Sequence, residues 1–354
     1  MLLTILDAVP QGIDVEVWLP TDLAHPAHPL CDELTRRGVE VRHVDLPILR
    51  RAYRKPRALA ALLGRAVRLA GTLRSAAPDV VYCTSSAALP AALSARLARV
   101  PSVLGHVQEI WSRSDALVLT GLALLCRRLV AISSAAARSL PGPLQGRTRV
   151  VPNATVDPGS PHGLAGRDGP LHFLVASRWN GWKGHRTLLR AWELAGHPGR
   201  LTVLGGPPAS GDAVDVRALV AALPDPASVD VVGEVSDASP YVAAADVMIV
   251  PSERPEPFGL VAIEAFAAAR PVVASDAGGP ADIVADGITG WLFPPGDAAA
   301  LAVLLGRLTR AQVTEAGLRA REAFDAGYTV AGYVERWQRA FAGMSWMDGA
   351  DRVG

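Results

Sequence analysis

The chain has 354 residues, of which 50% are hydrophobic, 19% charged and 5% aromatic. Its 35 basic and 34 acidic residues leave a formal net charge of +1, against both a nucleic-acid binder relying on overall basicity and a long acidic disordered chain. Cys31, Cys83 and Cys126 are too scattered for a zinc site or disulfide framework and suit a reducing cytosol.

Segment 1–6 is too short and uncharged for a signal peptide, and no run of 18 apolar residues is free of charges or breakers. A cytoplasmic protein is expected. Apolar runs at 14–19, 39–44, 79–83, 102–105, 129–132 and 149–151 read as buried strands, with helix-length segments between most of them. The Pro/Gly-rich stretch 156–170 has no apolar periodicity and reads as a linker. Strands then resume at 171–176, 201–204, 229–232, 246–250 and 271–274, and a last helical pattern spans 329–344.

This alternation, repeated across a linker, predicts an α/β protein with two doubly wound, Rossmann-like domains. They are 1–155 and 171–328, joined by 156–170, with the C-terminal helix of 329–354 free to pack back on either domain, the N-terminal one included. A cleft between them, lined by the carboxyl ends of strands, is the expected ligand site. His106, Arg178 and Glu256 each follow a predicted strand there.

Only two lysines occur, Lys55 and Lys183, against 33 arginines. Lys55 lies in a basic run and needs no special account; Lys183 raises the question of a chemistry that arginine cannot serve. In 251–265, PSERPEPFGLVAIEA, a strand ends, a Pro-rich loop follows and a helix begins near Gly259. The unpaired N–H groups of such a helix start suit a diphosphate. Glu256 before it and Glu264 within it are acceptor-only groups suited to ligand hydroxyls, or else ordinary solvated carboxylates.

The run 251–297 resembles the signature of retaining, nucleotide-sugar-dependent glycosyltransferases of family 4, which have the GT-B fold, and its E-x7-E pattern falls on Glu256 and Glu264. The resemblance implies that Glu256 faces the donor sugar and that Glu264 holds the ribose hydroxyls. It also implies that backbone N–H groups of Phe258, Gly259 and Leu260 meet sugar and diphosphate. Asp282 departs from the pattern, where the family more often has Glu. Arg178 and Lys183, in SRWNGWKGHRTLL, match the R-x4-KG diphosphate clamp. Such cations would stabilise charge growing on the leaving phosphate, and a compact ammonium reaches an oxygen where a planar guanidinium does not fit.

Gly205 and Gly206 in LTVLGGPP, and Gly233 in VVGEV, follow strands and match loops near base and ribose; by themselves they are turns. His106, in PSVLGHVQEIW, matches the P-x-V-x-x-H element that lines the sugar pocket, although a lone histidine at a strand end also serves structure. Glu109 could orient the imidazole or face the acceptor. GWKG lacks the spacing of a P-loop, no G-x-G-x-x-G supports a dehydrogenase, and no D-x-D motif or His/Cys cluster supports a metal. No cofactor and no metal are expected; the nucleotide sugar is a substrate.

Segment 50–74 holds eight basic and no acidic residues and contains an amphipathic helical pattern. It reads either as a core-packing helix with a solvated face or as a peripheral contact with the inner face of a membrane. The partners implied are a nucleotide sugar and an acceptor glycan, lipid or small molecule, with no nucleic acid. The reaction implied is metal-independent, retaining transfer of a sugar to an acceptor hydroxyl, His106, Glu256, Arg178 and Lys183 forming the catalytic set. A sugar-nucleotide 2-epimerase of the same architecture and a truncated non-catalytic nucleotide-sugar-binding subunit are the alternatives. Segment 1–9 matches the end of the family's first helix and 10–20 the turn and second strand. The first strand and its loop are therefore expected upstream of Met1, in a chain that starts roughly 20–30 residues earlier.

Overall fold

A computed structural model describes residues 2–21, 29–49, 56–159, 163–209 and 211–342. Residues 50–55 of the basic run, Lys55 among them, lie outside the described residues, as do 160–162 of the predicted linker and the end of the last predicted helix. The chain divides into two units, one of Met1–Val151 with Tyr333–Gly354 and one of Pro152–Gly332.

The first unit carries β1 (Glu16–Pro20), β2 (Glu40–Val44), β3 (Val80–Cys83), β4 (Ser102–Val107), β5 (Arg128–Ala131) and β6 (Thr148–Val150). All pairings are parallel, but the strands form two sheets, β1-β2 and β3-β4-β5-β6. β4 is buried along its whole length, as expected of an inner parallel strand covered on both faces. Helix Arg113–Leu124 starts at a capping box, where Ser112 accepts from the Asp115 backbone while the Asp115 carboxylate accepts from that of Ser112.

Helix Val330–Ala342 ends the described chain. From Tyr333 onward it belongs to the first unit, where Trp337 is fully buried with its ring edge-on to Tyr82 and His106 at 5.9 and 5.4 Å. Truncating a tryptophan so enclosed costs about 3–5 kcal/mol. Helix Pro56–Ala76 buries Leu62, Ala66, Leu69, Ala70 and Leu73, the core-packing face, while Leu59, Leu63 and Val67 stand exposed four residues apart.

The second unit carries β7 (Leu171–Ala176), β8 (Gly199–Leu204), β9 (Val229–Gly233), β10 (Val247–Val250), β11 (Val272–Ser275) and β12 (Gly290–Phe293) in one parallel sheet. Its order is β12-β11-β10-β7-β8-β9. The chain builds outward from β7 to β9, then returns to place β10 on the other side of β7, so β7 and β10 flank a topological switch point. Phe173 packs edge-on against Trp192 at 5.5 Å in the core beneath.

The predicted linker is only partly a free connection. Leu164 is buried in the second unit's core, and Arg167 pairs with the buried Asp246 at 3.0 Å. Single anchors of this kind leave no periodic trace in a sequence, because periodicity reports a repeating element and not an isolated contact.

Candidate active site

The segments leaving β7 and β10 meet at the switch point. After β7 the chain passes Arg178, makes the 3-10 turn Gly181–Lys183 and enters helix His185–Leu194 through Gly184. Gly184 has φ +76°, and a Cβ there would lie 1.8 Å from the Pro251 carbonyl oxygen. Only glycine allows this turn to lie against the loop after β10. The Glu253 backbone N–H then donates to the Trp182 carbonyl at 2.8 Å, joining the two segments.

This junction brings Lys183 to Glu256. The Lys183 ammonium donates to Glu256 Oε1 at 2.8 Å and lies 4.4 Å from the centroid of the Trp182 ring. Ser252 Oγ donates to the same carboxylate oxygen. The two charged side chains retain only 17% and 9% exposure. Water is largely excluded, and the desolvation cost is offset by the pairing and by the serine hydrogen bond. Ser252 is itself fixed, since Ser275 Oγ donates to its carbonyl at 2.6 Å.

From the far side, Gly278 and Gly279 hold the Glu256 backbone. The Gly279 N–H donates to the Glu256 carbonyl at 2.7 Å. A Cβ on Gly278, at φ +69°, would fall 2.3 Å from that oxygen, and one on Gly279 would fall 2.2 Å from the Phe258 oxygen. Two glycines are thus needed for the loop to be seated this closely.

Helix Leu260–Ala267 begins after Gly259, whose φ is +95° and which provides no side-chain cap. Its first N–H groups therefore remain donors at a positive helix end. Glu264, on the second turn, is half-buried; burial raises its carboxyl above the ordinary carboxylate range, and its side chain makes no hydrogen bond among the described residues. Arg178 is exposed and forms no ion pair among the described residues. Gly205 donates to the Gly233 carbonyl at 2.8 Å, and Gly206 accepts from the Trp179 N–H at 2.8 Å. The β7, β8 and β9 loops thus form one rim. Arg178, Lys183, Gly205, Gly206, Gly233, Glu256, Phe258, Gly259, Leu260 and Glu264 all belong to this end of the second unit's sheet.

His106 belongs to the first unit, and its position relative to the end of β4 corrects one expectation. β4 runs through Val107, because His106 and Val107 stay in register with Val130 and Ala131 and no breaker intervenes. The imidazole therefore sits within the strand, with 1% exposure. The Tyr82 hydroxyl and its Nδ1 share a hydrogen bond of 2.6 Å and Trp337 covers the ring; its Nε2 is buried without a partner among the described residues. Burial lowers its pKa to about 4, so it is neutral near pH 7. The residues at the end of β4 are instead Gln108 and Glu109. The Glu109 carboxylate accepts from the Ser86 and Gln108 backbones at 3.3 and 3.2 Å, which orders that end of the strand, while the Gln108 amide nitrogen lies 3.3 Å from the imidazole Nδ1 beside Tyr82.

Ser252 and Trp182 are not legible in the sequence as site neighbours, nor Tyr82 and Trp337 as neighbours of His106, since each gains its role from a contact across its own unit. Gly278 and Gly279 had a signal, the GGP within the run 251–297.

Two family models match the chain. One, described as "Glycosyl transferase 4-like domain", covers residues 8–154; the other, "Glycosyl transferases group 1", covers 170–311. A D-inositol 3-phosphate glycosyltransferase of Xylanimonas cellulosilytica is 39% identical over 182 residues, 50% of this chain and 41% of that protein. An exopolysaccharide phosphotransferase, SCO2592 of Streptomyces coelicolor, is 31% identical over 290 residues, 78% of this chain and 30% of that protein. The chain thus spans less than half the length of these curated relatives. Among solved structures, Anabaena Alr3699/HepE in complex with UDP and glucose superposes with a TM-score of 0.75 at 21% identity, covering 97% of this chain and 95% of that one.

Proposed function

Since the chain belongs to the group 1 and 4-like glycosyltransferases, of GT-B fold, we propose that it transfers a sugar from a nucleotide-sugar donor to an acceptor hydroxyl with retention of configuration. One observation carries the reading. The switch point of the second unit gathers a cation, a paired carboxylate, an uncapped helix start and a half-buried unpaired carboxylate.

In this reading the diphosphate lies at the N-terminus of helix Leu260–Ala267, with Arg178 and Lys183 on its oxygens. As the bond to the sugar breaks, the electron pair moves to the β-phosphate. The fixed cations and N–H groups stabilise that charge more in the transition state than in the ground state. Lys183 must therefore exchange Glu256 for phosphate, which frees the carboxylate to accept from a sugar hydroxyl. Glu264, already unpaired, accepts from the ribose. The acceptor attacks from the face the diphosphate leaves, and a phosphate oxygen takes its proton. Gly205, Gly206 and Gly233 form the rim toward the base. His106, enclosed by Tyr82 and Trp337, serves as a positioning residue for the end of β4.

The acceptor is a glycan, a lipid-linked sugar or a small molecule. The exposed Leu59, Leu63 and Val67 of helix Pro56–Ala76 support a peripheral membrane contact, although Arg65 and Arg68 beside them pair with Asp45. Among the described residues no helix is long and apolar enough to cross a membrane.

Thermal shift across UDP-, GDP- and ADP-sugars identifies the donor, and NMR of the product formed from that donor and an acceptor reads the anomeric configuration. A product with retained configuration supports the reading. Donor isomerised without an acceptor would make the protein an epimerase, and binding without turnover would make it a binding subunit.

A further inference from the structure

The second concentration of charge lies in the first unit, at the amino-terminal ends of its strands. From 89 to 151 the sequence holds eight arginines and only two acidic residues, Glu109 and Asp115. Both acids are engaged, Glu109 on the Ser86 and Gln108 backbones and Asp115 in the capping box of Ser112. Register then concentrates the arginines. β5 and β6 pair Leu129 with Thr148 and Val130 with Arg149. Arg128 therefore lies opposite Arg147, and strand alternation sets Arg128, Arg147 and Arg149 on one face.

These three and Arg127 line a cavity of about 340 Å³, to which Ala340 of the last helix also contributes. All four are exposed, and none forms an ion pair among the described residues. Arg147 donates to the Cys126 and Arg127 carbonyls at 2.5 and 3.3 Å, and Arg149 to the Arg339 carbonyl at 3.1 Å, near the C-terminal ends of two helices. Those carbonyls fix the guanidinium groups and offset part of their charge. Arg127 and Arg128 make no side-chain hydrogen bond among the described residues.

We propose that this cavity is a binding site for a phosphate-bearing anion, separate from the nucleotide-sugar site of the second unit. Four like charges sharing one concave surface repel one another, and a multivalent anion relieves that repulsion while offering paired oxygens to planar guanidinium groups. The same phosphate chemistry occurs in a free polyphosphate and in the headgroup of an anionic lipid.

The test uses the full chain and two probes. Inorganic tripolyphosphate is titrated by calorimetry into R178Q/K183Q protein, in which the donor clamp no longer contributes. Co-sedimentation is measured with phosphatidylcholine vesicles containing or lacking phosphatidylglycerol. Saturable binding is expected in at least one arm, weakened about tenfold or more in R127Q/R128Q, which leaves the carbonyl contacts of Arg147 and Arg149 in place. Tripolyphosphate binding alone identifies a soluble ligand, and vesicle binding alone a lipid headgroup. R149Q, with a melting temperature matching its parent, provides a second reading and should weaken the same arm. Absence of binding in both arms, or binding unchanged in both variants, would overturn the proposal.

Discussion

Lys183 Nζ donates to Glu256 Oε1 at 2.8 Å, so the cation assigned to the leaving phosphate and the carboxylate assigned to the sugar neutralise each other. Glu256→Gln keeps the shape, removes the charged acceptor and releases Lys183. Turnover should fall about 10²-fold or more, because a charged hydrogen bond contributes roughly 1.5–3 kcal/mol and its geometry adds to that. Affinity for the nucleoside diphosphate should be kept or rise, since the ammonium no longer leaves a partner. Glu264→Gln should instead weaken nucleotide binding. Calorimetry showing both variants equally weakened would contradict this division of roles.

Lys183→Arg should be nearly as damaging as Lys183→Ala. The ammonium is enclosed by Glu256 and the Trp182 ring, with the chain turning at once through Gly184. A guanidinium is wider and planar, and does not fit the same pocket. Steady-state kinetics decide, and wild-type kcat in the arginine variant would assign the residue to charge alone.

Gly278→Ala and Gly287→Ala form a matched pair. Both glycines have positive φ, +69° and +71°, so alanine costs each about 1 kcal/mol of backbone strain. Only at Gly278 does the added Cβ meet the Glu256 backbone, at 2.3 Å; at Gly287 nothing lies within 4 Å. The Gly278 variant should lose kcat by about tenfold or more, while the Gly287 variant keeps its kcat with a smaller fall in melting temperature, since it carries the backbone strain without the overlap. Equal kcat values would show that the cradle does not position Glu256.

Burial lowers both His106 and His185 to about 4. In the unfolded chain each titrates near 6.5, so below that pH the unfolded state binds more protons. The stability from keeping them neutral is full above about pH 6.5 and is lost as pH falls toward 4, by roughly 3 kcal/mol for each histidine at most. Melting temperatures between about pH 7 and 4.5 should fall steeply, and His106→Gln and His185→Gln should each flatten the slope. An unchanged slope in both variants would show that these imidazoles are not the source.

The proposed step draws its charge stabilisation from Arg178, Lys183 and a helix start. Activity should therefore persist in EDTA. A full loss reversed by Mg²⁺ would require a metal in the step.

The alternating apolar runs and the spaced glycines determined two α/β units with parallel sheets, because strand and helix periodicities are local consequences of which face is buried. The scarcity of lysine singled out Lys183, and the resemblance to the E-x7-E and R-x4-KG motifs located Arg178, Lys183, Glu256 and Glu264. What the sequence left open depends on pairing at long range. Lys183 and Glu256 are 73 residues apart and meet only because the strand order reverses beside β7. His106 lies in a sequence element of its own, P-x-V-x-x-H, but two further residues of β4 pairing and the return of Trp337 enclose it. The arginines of β5 and β6 are scattered in the chain and gather only through register. Hydrophobic pattern selects the face a side chain takes; strand order and register, set by mutual burial across the whole unit, select its neighbours.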